Sequence, residues 1–216
     1  MADHQVRPFQ KDDREAVFYI ASETAFFGAP LEAFLDDRRL FWDIFYSYYT
    51  DMEPEHGWVA CVGGEVVGFL MGCEDTDSRQ KRWRAKILPL EVGKIFIGRY
   101  RIGRLTVRYI YRLAMAALQK EFAHADLQTY PAHLHINILD GYRGYGLGKA
   151  LMQAYLEQLR QAQVRGVHLM TTNLNQSALR LYERLGFHLL DARVTRVWEG
   201  YFDTPVENRC YGLILN

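Results

Sequence analysis

The chain has 216 residues, of which 49% are hydrophobic and 24% charged, with 26 basic and 26 acidic side chains. Its length suits one domain, residues 1–216, with a large core, and its balance suits an ordinary soluble globular protein. No run of 18 uncharged apolar residues is present, which excludes a membrane-spanning helix.

The neutral total conceals an uneven distribution. Residues 1–78 hold 5 basic and 16 acidic side chains, residues 79–112 hold 11 and one, and residues 113–216 hold 10 and 9. A local basic block therefore balances an acidic N-terminal third.

The polar start, Met1-Ala2-Asp3-His4-Gln5, has no signal-peptide core. Val6-Arg7-Pro8-Phe9 reads as a short edge strand, and residues 12–25 and 31–49 read as helices, the second rich in aromatic residues. Trp58–Val62 and Val66–Met71 flank Gly63-Gly64 and form a hairpin pattern. Within residues 75–130, Ile87–Ile97 and Leu105–Glu121 carry helical apolar periodicity, so at least two inserted helices are expected. Arg99, Arg101, Arg104, Arg108 and Arg112 recur at a spacing compatible with a basic helical face. Leu134–Ile138 alternates as a strand, and Ala150, Leu151, Ala154, Tyr155 and Leu159 recur as a helix. Val167–Thr172 is a further strand, Ala178, Leu181, Tyr182 and Leu185 form a helical stripe, and residues 187–197 and 209–215 read as two last strands. Cys61, Cys73 and Cys210 show neither zinc nor redox spacing, which sets the expectation of a reduced, cytoplasmic compartment.

Between the 134–138 strand and the helix after it lies Arg143-Gly144-Tyr145-Gly146-Leu147-Gly148-Lys149. Glycines allow a tight turn and a close approach of backbone to ligand. The helix start offers unpaired N–H groups and the positive end of the dipole, a socket for phosphate or pyrophosphate. A Walker loop fails, because Arg143 and Ala150 stand where it needs glycine and Ser or Thr. The dinucleotide fingerprint fails too, since Lys149 or Leu151 falls on its last glycine. The spacing that fits is R-x-x-G-x-G.

Downstream, Asn175, Ala178, Leu181, Tyr182, Gly186 and Phe187 follow the order N-x-x-A-x-x-L-Y-x-x-x-G-F. With both motifs, residues 131–190 resemble the GNAT superfamily of acetyl-CoA-dependent N-acetyltransferases. The resemblance implies an α/β (α+β) fold with a mixed, mostly antiparallel sheet, helices on both faces, and a helical insertion (about 75–130) before the CoA-loop strand. It implies acetyl-CoA as co-substrate, held by Ile136, Ile138, Arg143, Gly144, Tyr145, Gly146, Leu147, Gly148, Lys149 and Asn175. No metal is expected, because His133 and His135 lack a third ligand. The stretch Thr129–Ile136 also resembles bacterial acetyltransferases related to the domain found with some O-GlcNAcases.

Direct attack on a thioester needs a neutral amine, a donor for the oxyanion and a proton for the leaving thiolate. Backbone N–H groups on the 134–139 strand are candidates for the oxyanion. The resemblance gives the proton-donor position to Tyr182, which otherwise reads as a packing tyrosine. Asn175 either contacts the pantetheine arm or caps its helix. His135 has a side chain suited to a base and equally reads as a hydrogen-bonded strand histidine; His133 and Asn137 share its face, and Glu74 and relayed water are alternatives.

The expected function is acetyl transfer to a primary amine of a small molecule or peptide. A catalytically silent CoA-binding sensor or assembly module is the alternative, and a nucleic-acid or membrane-surface binder a third class, neither of these two being the expected partner. The basic insertion either shapes an anionic acceptor's entry, packs on the acidic N-terminal third, or forms a homodimer face.

Overall fold

A computed structural model describes residues 4–215. Seven strands form one sheet: β1 (His4–Pro8), β2 (Gly57–Val62), β3 (Glu65–Cys73), β4 (Ala132–Ile138), β5 (Gly166–Thr172), β6 (His188–Thr195) and β7 (Val206–Ile214). Their order is β1-β2-β3-β4-β5-β7-β6, and only β4 and β5 run parallel. The mixed, mostly antiparallel sheet matches the expected fold class.

The hairpin forms because Gly63 and Gly64 adopt φ of 59° and 87°, the left-handed pair whose twist matches that of the flanking strands. Side chains alternate across the sheet and build two cores. Val59, Cys61, Phe69 and Met71 face α1 (Arg14–Thr24), α2 (Arg38–Phe45) and α3 (Ser47–Asp51). Ala60, Leu70, Leu134 and Leu169 pack on the other face against α7 (Leu147–Gln161), which buries Leu151, Tyr155 and Leu159.

The aromatic stretch 31–49 is not one helix. Asp37 accepts hydrogen bonds from the amides of Arg39 and Leu40 and so starts α2 afresh. Asp36 instead caps α6 (Arg104–Leu118), accepting from the Thr106 amide at 2.8 Å and hydroxyl at 2.7 Å. Two adjacent carboxylates serving two helix starts break the periodicity that the apolar pattern alone suggests.

The insertion begins earlier than its periodicity indicates, with α4 (Thr76–Arg82). A π-helical turn, Trp83–Ile87, joins α4 to α5 (Leu88–Phe96). Pro89 lacks an N–H for the carbonyl four residues back, and the widened turn precedes it. The helix that follows β5 is α8 (Gln176–Arg184), closed by Gly186 at φ 89°.

Candidate active site

The site arises where β4 and β5 part. Their ladder spans three pairs, Ala132 with Val167, His133 with His168 and Leu134 with Leu169. Beyond it β4 stays with β3 through Ile138, and β5 stays with β7 through Thr172. The β5-facing backbone edge of residues 135–138 is left without a strand partner, in a cleft of about 1040 Å³.

The glycine loop closes one end. Gly146, at φ 83°, is the N-cap of α7, and no side chain caps this helix start. The first amides of α7 are therefore free for a ligand. Gly148 lies beside Leu181 and Ile138, where an added Cβ would meet their methyl carbons at 3.2 and 3.4 Å. Arg143, Lys149, Arg180 and Arg184 line the cleft, and no Asp or Glu does. Arg143 also donates from Nε to the Ile138 carbonyl at 3.2 Å. Glycines, free amides and four cations fit the phosphates of a CoA molecule.

Ile136, Ile138, Gly144, Asn175, His135 and Tyr182 line the same cleft. Asn175 makes no capping bond with its side chain. Tyr182 is only 4% exposed, and burial raises its pKa, so its phenol keeps its proton. The side chains of Tyr145 and Leu147 lie elsewhere: Tyr145 is exposed against His4, and Leu147 is buried in the core. Any cofactor role for these two residues falls to their backbone.

Thr24, Ala25, Phe27, Gly28 and Trp198, which carry no motif, also line the cleft, and Gly28 lies against the Arg143 guanidinium. Asn137 donates to Thr24 Oγ1 at 2.5 Å, joining β4 to α1. Trp198 packs on Phe27, Phe34 and Tyr109 with ring centroids 5.2, 5.3 and 5.6 Å apart. Trp198 and Phe27 come from loops with no periodic pattern, so nothing in the sequence marks them. Arg180 and Arg184 were missed in the sequence as well; their i, i+4 spacing within the α8 motif is the signal that marks them as a pair.

His135 is exposed to the cleft, with the rings of Tyr46, Tyr49 and His133 beside it. Desolvation, then the Arg79 and His168 charges, lower its pKa to about 4, so the ring is neutral near pH 7. Behind it, Tyr49 Oη lies 3.1 Å from His135 Nε2 and 2.6 Å from His133 Nε2. His133 Nδ1 in turn lies 2.8 Å from Thr76 Oγ1, which donates to the Pro131 carbonyl at 2.6 Å. Glu74 is outside the cleft, 3.7 Å from His56.

The insertion contributes no side chain to the cleft lining. Lys94 pairs with Asp43 and Arg82 with Glu53, both at 2.9 Å, so part of the basic block packs on the acidic N-terminal third. Arg108 and Arg112 lie over the Tyr201 ring, at 5.0 and 5.6 Å. Tyr109 of α6 packs on Trp198, with ring centroids 5.6 Å apart, and is the insertion's contact with an aromatic residue of the cleft wall. Among the described residues no group of three or more His, Cys, Asp or Glu could hold a metal, and no helix is long and apolar enough to cross a membrane.

A sheet parted at its centre, with a glycine-started helix at the parting, is the architecture of an acyl-CoA-dependent acyltransferase. The sequence model of the Acetyltransferase (GNAT) family matches residues 122–187. The crystal structure of SsHAT superposes with a TM-score of 0.74 at 32% identity, covering 99% of each chain. The chain belongs to the GNAT family of N-acetyltransferases. It is also 47% identical over 53 residues to the mycothiol acetyltransferase of Nocardiopsis dassonvillei, a match covering 24% of this chain and 16% of that protein. A phosphinothricin acetyltransferase of Sinorhizobium meliloti, solved with AcCoA, shares the fold with a TM-score of 0.59 at 14% identity, over 99% of this chain and 89% of that one. These likenesses do not bear out the narrower resemblance to the O-GlcNAcase-related group.

Proposed function

We propose that the chain, acting as one acetyltransferase domain in a cytoplasmic compartment, moves an acetyl group from acetyl-CoA to a primary amine by direct attack. The observation that carries this reading is the make-up of the cleft: an unpaired strand edge, a glycine-started helix and four cations, with no carboxylate.

Bound acetyl-CoA supplies a thioester activated toward amines. The amides of α7 and the cations Arg143, Lys149, Arg180 and Arg184 would hold its phosphates, while the β5-facing edge of residues 135–138 would hold its pantetheine arm and meet charge developing on the carbonyl oxygen. Asn175, with its side chain free of a capping duty, would steady that arm. His135, neutral at pH 7 though a weaker base than free imidazole, would take the amine proton; Tyr182 would give its proton to the leaving sulfur, and the phenolate would take one back from water in the cleft. With Phe27 and Trp198 in its wall and no acid in its lining, the cleft suits an amine that carries an apolar or aromatic group, and disfavours polyamines.

Acetyl-CoA turnover against a panel of aromatic and aliphatic amines, amino acids, polyamines, aminoglycosides and peptides tests this. Acetylation of an amine, fastest with aromatic or apolar members, is the expected result. Tight CoA binding with no acetylated product from any amine would instead favour a CoA-binding sensor.

A further inference from the structure

We infer that Tyr49 and His133 fix His135 as its Nε2–H tautomer, leaving Nδ1 as the atom that accepts the substrate's proton. This rests on the acetyl-transfer reading and names the positioning residues of that same site.

The assignment follows from counting protons along the chain of contacts. Two oxygens 2.6 Å apart repel unless a proton lies between them, so the Thr76 hydroxyl proton points at the Pro131 carbonyl, which has none to give. Thr76 Oγ1 must then accept from His133, 2.8 Å away, so the proton of His133 is on Nδ1. Cys73 Sγ, 3.1 Å from the same nitrogen, is a second acceptor for it. His133 is almost fully buried, and desolvation beside His135, His168 and Arg79 keeps it neutral. Its Nε2 is therefore a lone pair and receives the single Tyr49 proton at 2.6 Å. With that proton committed, the 3.1 Å contact from Tyr49 Oη to His135 is closed by a hydrogen on His135 Nε2. His135 Nδ1 has no partner among the described residues, on a ring that lines the cleft.

The same chain could be read as a conduit carrying the proton inward. Its inner end is a carbonyl, which takes no proton, and a second charge on buried His133 beside Arg79 is costly. A lock fits better than a wire. In the step itself, the amine N–H bond breaks and the proton joins His135 Nδ1. The imidazolium so formed holds its Nε2–H on Tyr49 Oη, a charge-assisted bond, until the ring loses the Nδ1 proton to solvent.

The test is nitrogen-15 NMR of the imidazole rings combined with kinetics. The wild-type protein is expected to show neutral His135 protonated on Nε2 and neutral His133 protonated on Nδ1. In His133→Leu the Tyr49 hydroxyl loses its acceptor and turns to His135, whose proton moves to Nδ1. Then kcat falls about tenfold or more while acetyl-CoA affinity holds. Tyr49→Phe, which removes the lock without cutting a buried ring, is expected to lower kcat with KM for acetyl-CoA unchanged. Wild-type His135 protonated on Nδ1, or a folded His133→Leu that keeps both tautomer and kcat, overturns the inference. The NMR result stands whether or not an amine is turned over: the predicted tautomers without any turnover count against the acetyl-transfer reading, and the wrong tautomer in an active enzyme counts against the lock alone.

Discussion

Tyr182 shows how far burial can be read as chemistry. Its phenol is enclosed and yet lines the cleft, and burial holds it in the neutral form. A tyrosine that only packs would lose little on removal of its oxygen; one that gives a proton to a thiolate loses its function. Tyr182→Phe is expected to lower kcat by at least about tenfold, with acetyl-CoA affinity nearly unchanged. Single-turnover kinetics beside calorimetry check both halves, and full kcat in the Phe variant with chemistry rate-limiting would return the residue to the core. His135 was harder to read. Its alternation within β4 was plain, but its tautomer depends on Tyr49 and Thr76, 86 and 59 positions away in the chain. No local pattern encodes such partners.

At the scale of elements, the glycine loop and the α8 motif were legible because each is a local solution to a local need. Gly146 needs a left-handed φ, and Gly148 needs space beside Leu181. Gly146→Ala is expected to cost about 1 kcal/mol of stability through backbone strain. Gly148→Val is expected to raise the acetyl-CoA Kd at least about tenfold, because its methyls crowd Leu181 and Ile138 and enter the cleft. Calorimetry on the folded variants decides, and an unchanged Kd in Gly148→Val would remove the loop from CoA binding. The insertion was legible as helices but not in its placement, since charge says nothing about which neighbour absorbs it. Lys94 and Arg82 found acidic partners on other segments, and Arg108 and Arg112 found Tyr201. Charge reversal at exposed Arg99 and Arg104 is therefore expected to leave acceptor KM within about twofold, an effect below about 0.5 kcal/mol. A large rise in KM would restore the electrostatic role that the basic block suggests.

For the whole molecule, the buried histidines make stability depend on pH. His133 and His168 are 8% and 7% exposed, and burial lowers the pKa of both in the folded state. The unfolded chain, with histidine pKa about 6.5, binds protons that the folded chain refuses. Stability is thus full above about pH 6.5 and falls as pH drops below it, by up to about 1.4 kcal/mol per pH unit for each histidine. Urea unfolding from pH 7.5 to 5 measures the slope, and a flat profile would mean that both rings take up protons without opening the fold. The order of strands and helices was readable along the chain because turns and periodicity mark it. The break of α2 from the preceding segment was not, because Asp36 serves a helix that begins 68 residues later.

The parting of β4 from β5 has a mechanical consequence. Strands β1 to β4 form one leaf and β5, β7 and β6 another, and only three residue pairs stitch their backbones together. The seam is a notch in an otherwise continuous sheet, the place where a load across the strands would concentrate. A ligand lying along the notch touches both leaves and acts as a splint. Amides of residues 135–138 on the open edge should therefore exchange with solvent more slowly once CoA is added, and equal exchange rates would mean that the ligand leaves the seam slack. Loading would then stiffen the sheet, and product departure would let it flex again, so each catalytic cycle would also be a cycle of tension across the middle of the protein.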